Sequence, residues 1–122
     1  MTDKINEDYV SPETAELLKE KGLDASCFRH YIPKYNSDGT CEAVTTCTQQ
    51  MAMRWLRKNY KLHIVIDAYP HSDGCFYWYY KIMHLCKNEV VFGYYNKAVK
   101  AGFDSYEEAV EAALKYSLEN LI

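Results

Sequence analysis

The sequence predicts an α+β domain: a three-stranded antiparallel sheet with two helices on one face, ordered helix–strand–strand–strand–helix. Three observations predict it. Residues 62–69 alternate apolar and polar side chains, residues 76–83 form an aromatic-rich run, and residues 90–95 form a shorter one, with turn residues between them. A Met- and Trp-bearing stretch at helical spacing precedes these runs. A capped, alanine-rich stretch follows them, so the pattern spans about residues 46–121. With an N-terminal helix and arm in front, the 122 residues read as a single domain.

The N-terminal helix is placed over residues 12–21. Ser11 is its cap, Pro12 sits at the first helical position, and Glu13 and Glu16 suit the positive end of the dipole. Lys19 and Lys21 fall in the last turn, and Gly22 supplies a left-handed stop. Ala15, Leu17 and Leu18 make only a thin apolar stripe, which predicts a helix lying on the surface of another element.

Residues 23–45 have no clear period. Tyr35-Asn36-Ser37-Asp38-Gly39-Thr40 is turn chemistry, while Phe28, Tyr31, Ile32 and Tyr35 are too apolar for a free linker. The stretch reads as an arm packed against the main body.

The second helix is expected to open near Thr46, with Thr46 and Gln49 as a capping box, and to end near residues 59–60. Met51, Ala52, Trp55 and Leu56 form its predicted buried face. Arg54, Arg57, Lys58 and Lys61 share a different face.

Leu62, Ile64, Ile66 and Ala68 alternate with His63, Val65, Asp67 and Tyr69, the period of a half-buried strand. Pro70-His71-Ser72-Asp73-Gly74 breaks it, and Phe76 to Met83 supplies a second strand. Lys87-Asn88-Glu89 turns the chain into a third strand at 90–95, where Gly93 reads as a bulge. The last helix opens with Ser105 and Glu108 as a capping box, overlapped by Asp104 and Glu107. Its inward face is Ala109, Val110, Ala113, Leu114, Ser117 and Leu121.

The element order over residues 46–121 resembles the double-stranded RNA-binding domain fold. That family binds RNA through its first helix, a Gly-Pro-x-His loop between its first two strands, and lysines opening its last helix. Here the loop is Tyr69-Pro70-His71-Ser72-Asp73-Gly74, with Pro and His but not that spacing. Ser105-Tyr106-Glu107-Glu108 places carboxylates where phosphate-binding ammonium groups are required. Arg54, Arg57 and Lys58 alone suit the role. The phrases Ser11 to Ala15, Thr48 to Arg57 and Tyr106 to Tyr116 also look like a group of small uncharacterised proteins of gut bacteria and their phages.

A net charge of −3 argues against a strongly basic nucleic-acid binder. Neither a signal peptide nor an apolar run of membrane-spanning length is visible, which predicts a cytoplasmic protein without a membrane partner. Five cysteines at irregular spacing read as free thiols in a reducing compartment. Cys27 and His30 have the spacing of a zinc half-site, but Cys41 and Cys47 are too widely separated to complete it. His84 and Cys86 have no orienting third group, so no catalytic residue, cofactor or metal is assigned.

Two surfaces remain. Arg54, Arg57, Lys58 and Lys61 form a local basic patch, expected to attract the acidic N-terminal helix of the same molecule; nucleic acid is the less favoured reading. Val65, Tyr77, Tyr79, Met83 and Tyr95 are expected on the sheet face away from the helices. The arm is the first choice to cover that face. A second copy, giving a homodimer, or another protein comes next, and single-stranded bases last. The function that follows is a non-enzymatic interaction protein. The alternative is a nucleic-acid-binding accessory protein that uses the basic helix face.

Overall fold

The computed structural model of the chain describes residues 8–93 and 102–122, with only the main chain described at Phe92 and Gly93. It is an α+β structure with two antiparallel sheets, of two and three strands, rather than the single three-stranded sheet expected.

Helix α1 spans Pro12–Glu20, with the Ser11 side chain accepting from the Thr14 amide and Gly22 at φ 103° beyond its end. Its thin stripe is buried, as expected of a helix lying on another element. Thr14, Ala15 and Leu18 are closed to solvent because α1 packs on the last helix. Glu111 from that helix accepts from Ser11 N at 2.9 Å, from Ser11 Oγ at 3.0 Å and from Thr14 Oγ1. A carboxylate thus accepts from three donors at the positive end of α1.

The segment read as an aperiodic arm is a β-hairpin. Strand β1, His30–Tyr35, pairs with β2, Cys41–Thr46, around a turn with Gly39 at φ 89°. The sequence hid it because Pro33 stands mid-strand and neither face of a two-stranded ribbon is deeply buried. Proline is tolerated there because β1 is an edge strand. The hairpin packs on α1: Lys34 pairs with Glu16 at 3.1 Å, and Lys19 Nζ donates to Thr45 Oγ1 at 2.8 Å. It forms a sheet of its own and does not join the three-stranded one.

Helix α2 spans Gln49–Tyr60, and its cap is Thr48, not Thr46. Thr46 closes β2, is fully buried, and donates its hydroxyl to the Val10 carbonyl at 2.8 Å. The buried face is Gln49, Ala52, Met53 and Leu56. Met53 and Met51 lie about 200° apart around the helix, so Met51, expected inside, is 43% exposed. Gln49 Nε2 donates to the Glu107 carbonyl at 3.0 Å and ties α2 to the last helix.

Lys61, in the left-handed region at φ 58°, turns the chain directly into β3, Leu62–Pro70. Strand β4, Phe76–His84, pairs with β3 from Leu62↔His84 to Pro70↔Phe76. Strand β5, Glu89–Gly93, pairs with β4 on its other side in unbroken register, so Gly93 makes no bulge within it. Facing pairs share a side, which puts Leu62, Ile64 and Ile66 with Trp78, Tyr80 and Ile82 toward the core.

Helix α3, Tyr106–Tyr116, is capped by Ser105 Oγ, which accepts from Glu108 N at 3.1 Å. Glu108 reaches back to the Asp104 amide at 3.1 Å. The helix widens into a π turn over Ser117–Leu121, and Leu118, absent from the predicted inward face, is fully buried. Phe103 pairs with Trp78 by main-chain bonds of 2.7 and 2.8 Å, which fastens the approach to α3 against β4.

Candidate functional site: an aromatic cluster on the open sheet face

The residues of β3 and β4 that do not face the core are His63, Val65, Asp67 and Tyr69 with Tyr77, Tyr79, Lys81 and Met83. The structure therefore brings four of the predicted surface residues, Val65, Tyr77, Tyr79 and Met83, onto one face, each half-buried. Tyr95 lies outside the described residues.

The tyrosines are not loose. Tyr77 donates its hydroxyl to Asp73, and Tyr79 and His71 Nε2 share a hydrogen bond. The His71 ring lies 5.0 Å from Tyr77, edge-on, and 5.9 Å from Tyr79, stacked. Tyr69 meets Tyr79 edge-on at 5.3 Å. These are the separations at which aromatic pairs attract beyond their simple burial. Gly102 adds a main-chain wall: a Cβ built there would stand 2.7 Å from Tyr77 Cβ and 3.2 Å from Tyr79 Cζ.

Electrostatics follow from these bonds. Hydrogen bonding to Asp73 pushes the Tyr77 phenol up to about 12, and the same bond holds the Asp73 carboxyl below its ordinary range. Tyr77 therefore stays protonated near neutral pH and acts as a fixed donor. Beside it, Asp67, Tyr69, Pro70, His71, Tyr79 and Lys81 line a cleft of about 330 Å³. Asp67 and Lys81 make no ion pair among the described residues. The result is an aromatic floor held by hydrogen bonds, with an acid and a base on it that make no ion pair among the described residues.

No protein-family model matches the chain, and no curated protein or solved structure matches it. The surface itself must carry the functional argument.

His71 and Asp73 were not assigned to this face in the sequence, where they stood as residues of the loop between the first two strands of the expected sheet. Their signal was parity. His71 continues the 67, 69 alternation of β3, so its ring lands on the same face as Tyr77 and Tyr79. Tyr69, also missed, is 53% exposed at the rim.

The basic patch forms no ion pair with α1 among the described residues. Glu16 of α1 pairs with Lys34, while Arg54, Arg57, Lys58 and Lys61 make no ion pair among the described residues. Arg54 and Lys58 flank Trp55 and Met51 in a hollow of about 270 Å³.

The candidate zinc ligands do not converge. His30 contacts Tyr9, Cys41 is exposed, and burial pushes the Cys47 thiol up to about 12. Among the described residues no group of three or more metal-ligating side chains is suitably placed. His84 Nδ1 accepts from the Cys86 amide at 3.2 Å, a turn contact. No described helix is long and apolar enough to cross a membrane.

Proposed function

We propose that the protein is a non-enzymatic interaction protein, associating with a protein partner or a second copy through its tyrosine-rich sheet face. The observation that carries this reading is the pre-organisation of that face. Tyr77 and Tyr79 are held by Asp73 and His71 on the side of the sheet away from the core. Aromatic side chains fixed before binding lose little further conformational entropy on docking, and such residues dominate binding hot spots. Asp67 and Lys81, without an ion pair among the described residues, supply a polar rim. The resemblance to small proteins of gut bacteria and their phages gives this role a phage or mobile-element setting.

The test is the solution mass of protein purified at low salt, by light scattering with absorbance at 260 and 280 nm. The reading predicts a co-purifying protein, or further copies docked on this face, adding to the 14.3 kDa chain in a way that is insensitive to salt and lost with Tyr79→Ala. A monomer at every concentration, with no co-purifying protein, refutes it.

Arg54, Arg57 and Lys58, without an ion pair among the described residues, favour a second reading, a nucleic-acid-binding accessory protein of double-stranded-RNA-binding-domain-like organisation. It predicts 260 nm absorbance that salt strips away and that Arg57→Ala diminishes.

A further inference from the structure

Strand β3 is the outer strand of the three-stranded sheet, nine residues long, and among the described residues it pairs only with β4. The ladder continues at both ends through Leu85 N to Lys61 O at 2.8 Å and His71 N to Cys75 O at 2.9 Å. These bonds fix the odd-numbered residues of β3 as those bonded to β4. The even-numbered ones, Leu62, Ile64, Ile66 and Ala68, therefore turn their N–H and C=O groups to the free edge. Among the described residues no main-chain bond from outside the strand satisfies them. Edges of this length are ordinarily guarded by lysine, proline or a bulge. Here Pro70 stands only at the far end.

We infer that this edge is where a second copy of the chain adds, β3 against β3 and antiparallel about a two-fold axis. One register uses every free group of these four residues. With Val65 on the axis, Leu62 faces Ala68 of the second copy and Ile64 faces Ile66, so all four edge residues of each chain form hydrogen-bonded pairs. Moving by one step in one direction sets Leu62 against Pro70, which has no N–H. Moving in the other direction strands Ala68 opposite the end of α2.

The same register matches side chains. On the core side every facing pair is apolar. On the tyrosine side His63 faces Asp67 of the second copy, and Asp67 faces His63, at positions where side chains approach most closely. Both are unpaired in the single chain: Asp67 makes no ion pair among the described residues, and His63 Nδ1 is buried without a partner. With Nδ1 enclosed, the proton belongs on Nε2, a donor that Asp67 of the second copy accepts. The dimer is isologous. It joins two sheets into one of six strands and makes the two tyrosine faces continuous. This inference does not depend on what the tyrosine face binds, because the contact is the strand edge.

The experiment is light scattering over a concentration series on the pure chain and four variants, with circular dichroism as the check on folding. The wild-type chain is expected to dimerise. Asp67→Lys, at an exposed position, and His63→Asp each raise the dissociation constant about tenfold or more. The double variant, carrying His63→Asp and Asp67→Lys, restores the dimer because the pair is re-formed with donor and acceptor exchanged. Tyr77→Ala leaves this edge-paired dimer intact while weakening whatever docks on the tyrosine face. A monomeric wild-type chain overturns the inference, as does a double variant no better than the singles. A dimer lost with Tyr77→Ala but kept in the charge variants also overturns it and assigns self-association to the tyrosine face.

Discussion

Gly102→Ala isolates the contact that fixes one border of the tyrosine face. Gly102 has no left-handed φ, so alanine costs nothing in backbone conformation there. In an open site of that kind the change stabilises by about 0.4–1 kcal/mol, because it restricts the unfolded chain. Here the new Cβ would lie 2.7 Å from Tyr77 Cβ, 3.1 Å from the Trp78 carbonyl oxygen and 3.2 Å from Tyr79 Cζ. Comfortable carbon–carbon contact is about 3.5–4.0 Å. Tyr77 Cβ is one bond from the main chain, and the Trp78 carbonyl is committed to Phe103 N at 2.7 Å. Neither can swing aside, so relief requires the Gly102–Phe103 segment to move off β4 and stretch both bonds to Trp78. Overpacking costs about 1–3 kcal/mol, and weakening main-chain bonds adds to it, for an expected loss of about 2 kcal/mol. At this chain length that lowers Tm by roughly 6–12 °C. The assay is urea and thermal unfolding beside Gly39→Ala, where nothing lies within 4 Å and only the φ of +89° is penalised. A Gly102→Ala protein as stable as wild type, or more so, refutes the close packing of this segment on Tyr77 and Tyr79.

Four further outcomes are expected. In the alkaline tyrosine titration followed at about 295 nm, Asp73→Asn moves one phenol from about 12 back toward the ordinary 10.0. Because the folded value is raised, the stability contributed by this bond is whole below pH 10.0 and fades as pH climbs toward about 12. From the carboxylate side, Asp73 lies below its ordinary 3.8, so its contribution is whole above that pH and is lost as pH falls further. Toward a thiol reagent at mildly alkaline pH, the exposed Cys41, Cys75 and Cys86 react first, and Cys47 reacts only on unfolding. Thr48→Ala destabilises by about 1 kcal/mol through the lost cap, whereas Thr46→Val costs about 1–3 kcal/mol because it strands the buried Val10 carbonyl; equal, negligible losses in denaturant titration would contradict both assignments.

What was legible followed from periodicity. The alternation from Leu62 to Tyr69 and the aromatic run of β4 fixed which side chains share a face, and the structure places Val65, Tyr77, Tyr79 and Met83 together. The Ser11 and Ser105 caps were equally readable, since a short hydroxyl side chain before a helical run has few other uses. The misses have physical causes. The β1–β2 hairpin buries too little on either side to generate a period, and Pro33 disguised it. Thr46 and Thr48 offer the same hydroxyl two residues apart, and only tertiary contact with Val10 decides between strand end and cap. Met51 and Met53 are chemically identical, so the true start of α2 was needed to tell the inward from the outward one. His71 and Asp73 looked like turn residues because their partners lie across the hairpin, and sequence windows do not register such pairs.

The central claim is that docking occurs on the tyrosine face, and hydroxyl-radical footprinting of the complex docked there against the edge-paired dimer addresses it most directly. Methionine gives the contrast: Met83 lies on that face, while Met51 lies beside Arg54 and Lys58 on the outer side of α2. The account predicts that association protects Met83, Tyr69, Tyr77 and Tyr79 and leaves Met51 and Trp55 oxidising at their original rates. Protection of Met51 and Trp55 with Met83 unchanged would contradict it and place the working surface on the basic helix.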